Sequence, residues 1–431
     1  MNSKVETFEW VDADALRIGL FVLLDVGWLS HPFPTSSFKL TSAKQIETIR
    51  SLGLERIRID PTRSDPEVPA TAAVAPLVLD GENNLAAKEL LRAQAQARRD
   101  RAELLAAQQR ALVVCERRFG EALRQYRRSI ELASSQPKQA AEQCQGMVSG
   151  FVNEMMCEGE SAIRLLSESA GDKSAMHPVN VTIVSLLLGK AMGLASGELV
   201  HLGTAAFLHD MGKIMLPDRV RWPEENFSTA EFKLYQDHVS HGVKLAKAME
   251  LPMPVLQAIA QHHEMIDGSG FPMRIKGDTQ SVIARILALV NRYDNLCNPS
   301  RPAAALTPHE SLSLIFAQLK TRFDSTALSA FIRMMGVYPP GSVVQLVDDR
   351  YAMVVSVNSS RPLKPRVIVH EPGISRHDAL ILDLEHAPSL GIRRSLKPAA
   401  LPSAAAEFLA PRQRVCYFFE RVMDPMAGAT P

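Results

Sequence analysis

Neither a cysteine framework, nor an excess of one charge, nor a long apolar run marks this 431-residue chain. Its five cysteines, Cys115, Cys144, Cys157, Cys297 and Cys416, are odd in number, scattered and never spaced Cys-x-x-Cys. That pattern argues against both a disulfide scaffold and a thiolate zinc site, and a reducing cytoplasm is the expected compartment. Lysine plus arginine against aspartate plus glutamate stand at 48 to 47, a formal net charge of +1, so the basic profile of a non-specific DNA binder is missing. Apolar runs such as "VIARILALV" are too short to span a bilayer, and the opening "MNSKVETFEWVDADALRIG" has no basic stretch leading into an apolar one. No membrane insertion and no DNA partner are expected.

What is there is enough chain for two or three folded units. Residues 1–65 alternate short apolar runs with a helix, "SAKQIETIRSLG", between cap signals at Ser42 and Gly53, and read as a small α+β module. Residues 66–139 read as a linker, beginning within the Pro/Ala-rich "PTRSDPEVPATAAVAP", followed by a long helical connector. In the connector, Leu105, Leu112, Phe119 and Tyr126 recur every seven residues, which fits either a dimeric coiled coil or a helix packed on its own domain. Residues 140–340 carry successive amphipathic helical stretches, and residues 341–431 change to β-branched runs and a Pro/Ala-rich tail. The expected fold is therefore multidomain: a mainly α-helical core with an α+β N-terminal module, a helical connector and a small β-rich appendage.

Eight of the twelve histidines fall in the helical domain, among them His177, His201, His209, His238, His241, His262 and His263. In "FLHDMGKIMLP", His209 can hold one metal while the carboxylate of Asp210, with two oxygens, can bridge to another. His262 and His263 point about 100° apart on a helix, so one cluster can use both only across a helix end. The following "DGSGFP" offers Gly268 and Gly270 for tight backbone positions and Pro272 to stiffen the exit, a lining suited to a phosphate-bearing ligand. Any one histidine is more often structural than a ligand; the ordered set makes coincidence a poor explanation.

His177, then "HDMGK", then His238 with Gly242, then "HHEMIDGSGFP" together resemble the HD-GYP family of cyclic di-GMP phosphodiesterases within the HD superfamily, over roughly residues 170 to 340. "LRIGLFVLLDVGWLSHPFPTSSFKLTS" resembles the domain of unknown function often attached before such domains, with His31 read as structural. The resemblance implies metal ligation by His177, His209, Asp210, His238, His262 and His263, with Asp210 bridging iron or manganese. It also implies a substrate site built from Lys213, Asp267, Gly268, Gly270, Phe271, Pro272 and Arg301, with Asp210 and Lys213 catalytic.

Three departures modify that expectation. Asn291 stands where the family carries a metal-binding aspartate, so an anionic ligand is lost, and Asp294, at i+3, is expected to compensate beside the substrate. Lys173 replaces a glutamate associated with a third metal, which favours two divalent ions over three. Ala303, Ala304 and Ala305 follow Arg301-Pro302 where the family has a tyrosine and basic residues, so the substrate grip should differ.

The implied reaction is hydrolysis of cyclic di-GMP to pGpG, GMP or both by a metal-bridging hydroxide, with a homodimer through the connector and a diguanylate cyclase as candidate partners. The rival reading is a catalytically weak receptor or scaffold that binds the dinucleotide or another signalling protein.

Overall fold

The computed structural model describes residues 8–24, 37–52, 54, 56–65, 81–157, 161–166, 173–222, 227–358, 361–387 and 389–421. The chain divides into two units, Met1–Glu89 and Leu90–Pro431.

In the first unit, β1 (Glu9–Asp12), β2 (Phe21–Leu23), β3 (Ser37–Lys39), α1 (Ala43–Ser51) and β4 (Arg56–Ile59) build the expected α+β module. The strands form an antiparallel sheet in the order β1-β4-β2-β3. Ser42 caps α1 as its sequence suggests: its hydroxyl accepts from the Gln45 amide, and the Gln45 side chain accepts from the Ser42 amide. Val22, Leu40, Ile49 and Ile57 are buried between sheet and helix. Gly53, His31 and the linker residues 66–76 lie outside the described residues.

The connector is one helix, α2 (Gly81–Leu132), free of proline and rich in strong helix formers. From Leu90 on it belongs to the second unit, where Phe119, Leu123 and Tyr126 enter the main core and Leu112 packs against it. Leu105 lines a cavity with Ile368 and Ile381, and Gln108 exchanges hydrogen bonds with both backbone groups of Ile381. Phe119 and Tyr126 of the seven-residue seam are thus buried within their own chain and Leu105 and Leu112 partly so, while Leu104, Val113 and Val114 of the same helix stay exposed.

Helices then dominate: α3 (Pro137–Met156), and, after β5 (Ser161–Leu165), α4 (Lys173–Ala191), α5 (Ser196–Leu208), α6 (Thr229–Ala248), α7 (Met253–Gln261), α8 (Val282–Cys297), α9 (Pro308–Gln318) and α10 (Ser325–Met335). Apolar nearly all round, α4 is the central buried helix, in contact with α5, α8 and α10. No helix among the described residues is long and apolar enough to cross a membrane.

The C-terminal region departs from an appendage. It contributes β6 (Val343–Leu346), β7 (Tyr351–Asn358), β8 (Arg366–Val369), β9 (Ile381–Asp383), β10 (Ile392–Leu396), α11 (Ser403–Leu409) and β11 (Tyr417–Arg421). These strands form one antiparallel sheet with β5, which comes from inside the supposed helical domain and pairs with β7 on one side and β11 on the other. The boundaries expected at 139/140 and 340/341 therefore fall inside one compact unit. The Pro/Ala-rich segment leads into β11, the last element among the described residues, whose Tyr417 and Phe418 are fully buried against the helices.

Candidate metal centre

His177 comes from α4, His209 caps the C-terminus of α5, His238 lies on α6, and His262 and His263 follow the end of α7. Four helices thus converge on Asp210, the residue before the single-turn helix Met211–Met215. That approach requires the absence of a side chain at Gly212, where a Cβ would lie 1.9 Å from the His238 carbonyl and 2.4 Å from the Gly242 nitrogen.

Asp210 is nearly inaccessible and its two oxygens face different partners. Oδ2 lies 3.4 Å from His209 Nε2 and 3.6 Å from His177 Nε2, and Oδ1 lies 3.6 Å from His238 Nε2 and 3.9 Å from His262 Nε2. Two groups of potential ligand atoms share this carboxylate: His177, His209 and Asp210 form one, and Asp210, His238, His262 and His263 the other. Metal-site chemistry fits the orphaned atoms as well. His177 Nε2, His209 Nε2, His263 Nε2 and Asp210 Oδ1 are buried without a hydrogen-bond partner, a costly arrangement unless something else satisfies them.

Outer contacts prepare the imidazoles for ligation. His209 and His262 each donate from Nδ1 to the carbonyl three residues earlier, Ala206 and Ile259, at 2.7 Å, and His238 does the same to Tyr235. With Nδ1 carrying the proton, Nε2 keeps its lone pair toward Asp210. Burial drives four of these histidines neutral: the pKa of His209 falls to about 4, those of His238 and His262 to about 3, and that of His263 well below the usual range. Burial opposes ionisation of Asp210, but Lys213 and the surrounding histidines outweigh it and hold its pKa well below normal. Lys213 Nζ donates to Asp210 Oδ2 at 2.6 Å.

Asp294, expected beside a substrate, is not among the residues that line the cleft over this centre. It is buried behind His177, where Oδ2 meets His177 Nδ1 at 2.6 Å and Oδ1 accepts from Asn180 at 3.0 Å and Asn298 at 2.9 Å. The carboxylate is saturated by these contacts and orients the imidazole. Asn291 lines the cleft with His177 and His262, but its side-chain oxygen accepts from Asn295 at 2.7 Å. The side chain of Lys173 lies outside the described residues.

Over the centre opens a cleft of about 450 Å³. Lys213, Gly270 and Phe271 line it, and Phe271 stacks on His263 with ring centroids 4.4 Å apart. Asp267, Gly268 and Pro272 are not among its lining residues; they shape the loop instead. Asp267 accepts from the Ser269 amide, Gly268 adopts a φ of +80°, and the Phe271–Pro272 bond is cis. Glu264, which the sequence reading left without a role, is buried and accepts from three successive amides, Met273, Arg274 and Ile275. At Gly270 a Cβ would lie 2.4 Å from the Met265 nitrogen, so only glycine fits there. Arg301 is exposed and lies outside the cleft lining.

Trp222, Tyr235, Arg292 and Arg322 line the cleft unforeseen. Tyr235 sits one helical turn before His238 and could have been placed by that spacing. No local pattern marks the other three.

A buried carboxylate shared between two imidazole groups beneath an open cleft is a donor set for divalent metal ions. Residues 158–327 match the family described as HD domain, and residues 10–144 match the Domain of unknown function (DUF3391): the chain is an HD-domain protein with DUF3391 ahead of that domain. The HD domain is a metal-dependent phosphohydrolase fold. Among relatives, cyclic di-GMP phosphodiesterase PA4108 of Pseudomonas aeruginosa is 26% identical over 357 residues, 82% of this chain and 83% of that protein. The cyclic di-GMP phosphodiesterase response regulator RpfG of Xanthomonas campestris is 31% identical over 153 residues, 35% of this chain and 40% of its own. A solved HDG"Y"P protein of Bdellovibrio bacteriovorus, Bd1817, aligns at 14% identity with a TM-score of 0.41, over 75% of this chain and 98% of its own.

Proposed function

We propose that the chain is a metal-dependent phosphodiesterase that hydrolyses cyclic di-GMP to pGpG, GMP or both, acting in the cytoplasm on messenger made by a diguanylate cyclase. The observation that carries this reading is the shared carboxylate: Asp210 turns one oxygen to His177 and His209 and the other to His238 and His262. The names of the relatives, including PA4108, supply the substrate class.

His177, His209 and Asp210 would hold one divalent ion, and Asp210, His238, His262 and His263 a second, iron or manganese by their nitrogen-rich donors. Bound there, such ions supply Lewis acidity, lowering the pKa of water and neutralising charge on the phosphate. The chain itself does the rest. Lys213, held against Asp210, presents a fixed cation at the inner end of the cleft. Asp294 fixes the tautomer of His177, leaving Nε2 free of its proton. Phe271 and Trp222 wall the cleft with aromatic surface on which a base can stack.

The test is anaerobic incubation of cyclic di-GMP with protein loaded separately with iron or manganese, products being resolved by chromatography. Appearance of pGpG or GMP is expected; intact substrate with fully loaded protein would overturn the assignment. One observation favours a second reading, a receptor for the dinucleotide: Asn291 supplies no charge and its amide oxygen is engaged by Asn295. Tight binding without turnover would select it.

A further inference from the structure

The expected phosphate-gripping arginine, Arg301, lies outside the cleft lining, whereas two others, Arg292 and Arg322, are within it. Arg292 follows Asn291 on α8. Arg322 closes the short helix Lys320–Arg322, and its carbonyl accepts from the Ile266 amide at 3.0 Å, which ties it to the "DGSG" loop. Both are exposed at the mouth of the cleft, while Lys213 is buried at its inner end.

Their charges are close enough to interact: partial burial, and then the charge of Arg322, lower the pKa of Arg292. Among the described residues neither guanidinium has a carboxylate within ion-pair distance, although Asp267 senses Arg322 from farther away. Two like charges at the rim of a polar cleft are stabilised by an anion between them, and a planar guanidinium can offer a phosphate two parallel donors. A cyclic dinucleotide has two phosphodiesters. Only one can sit at the histidine cluster and Lys213, so the other needs a separate cationic contact.

We propose that Arg292 and Arg322 bind this second phosphate, the one not being cleaved, and so select cyclic dinucleotides over esters with a single phosphate. This inference rests on the phosphodiesterase reading above. It assigns to α8 and the Lys320–Arg322 turn the contact that the alanines after Arg301-Pro302 no longer support.

The test compares wild type, the Arg292→Gln/Arg322→Gln double variant and Arg301→Gln. Equilibrium dialysis would measure binding of cyclic di-GMP to chelator-treated protein, and steady-state kinetics would follow manganese-loaded protein with cyclic di-GMP and bis(p-nitrophenyl) phosphate. The double variant should bind the dinucleotide at least about tenfold more weakly, as loss of charge-assisted contacts implies, and raise its KM similarly. Its KM for the single-phosphate ester and its thermal midpoint should not change, and Arg301→Gln should resemble wild type throughout.

Unchanged dinucleotide binding and KM in the double variant would overturn the inference. So would an equal loss toward both substrates, or a larger loss in Arg301→Gln. If wild type cleaved the simple ester but neither bound nor cleaved cyclic di-GMP, the substrate reading would fail first and this inference with it.

Discussion

Replacing Asp294 by asparagine isolates what lies behind the metal centre. The carboxylate joins three side chains from two helices: His177 and Asn180 on α4 and Asn298 at the end of α8. Asn180 and Asn298 also donate to the Val415 carbonyl and accept from the Tyr417 and Val415 amides, so the same network holds the approach to β11. Asparagine keeps the volume but has one acceptor oxygen. If its oxygen faces His177, its NH2 meets the donors of Asn180 and Asn298. If its NH2 faces His177, Nδ1 must accept, and the proton moves to Nε2, where a ligand lone pair is needed. Either arrangement removes at least one hydrogen bond to a charged group, about 1.5–3 kcal/mol. It should also weaken metal binding by about 10- to 100-fold, as loss of a ligand's outer partner does. Manganese titration and thermal unfolding of wild type and Asp294→Asn would measure both effects. Unchanged metal affinity in a folded variant would refute the claim that Asp294 orients His177.

Asn291→Asp should restore an anionic group at the cleft and raise both metal affinity and turnover; a variant that gains neither shows that residue 291 does not face the ions. Gly270→Ala places a methyl on the Met265 backbone and should displace the Phe271 loop, destabilising the protein by about 1–3 kcal/mol and raising KM for the dinucleotide, as unfolding curves and kinetics would show. The pH dependence of chelator-treated protein has a definite sign. The folded pKa values of His209, His238 and His262, about 4, 3 and 3, lie below the usual 6.5, so the folded form binds fewer protons between those limits. Their neutral, buried state is favoured above pH 6.5, and stability should fall as pH drops toward 4. A thermal midpoint flat between pH 7 and pH 5 would contradict this.

Most of the candidate ligands were legible from local motifs, His209 beside Asp210 and His262 beside His263, whereas His177 and His238 stand singly and were placed only by their order among those motifs. Asp294 was misplaced because its decisive partner is 117 residues away, and helical spacing alone suggests a role beside Asn291. The connector left two choices open; Phe119 and Tyr126 pack in the main core of their own chain, while Leu90, Leu91 and Leu104 nearer its start are exposed. The C-terminal sheet was only half visible. Its strand β5, "SAIRL", is five residues long between helices, and β11 follows a tail whose composition suggests irregular chain. Both depend on pairing between residues more than 250 positions apart, such as Ile163 with Phe419, which no local pattern records. Arg292 and Arg322 reach the cleft from a helix face and a turn with no motif of their own.

The proposed chemistry rests on a single arrangement, Asp210 shared by two ions. Metal content per chain and cyclic di-GMP turnover, determined on the same anaerobically loaded samples of wild type and Asp210→Ala, test it most directly. Two ions and turnover in wild type, with both ions and turnover lost together in the folded variant, are predicted. A variant that keeps two ions, or full turnover, would contradict it.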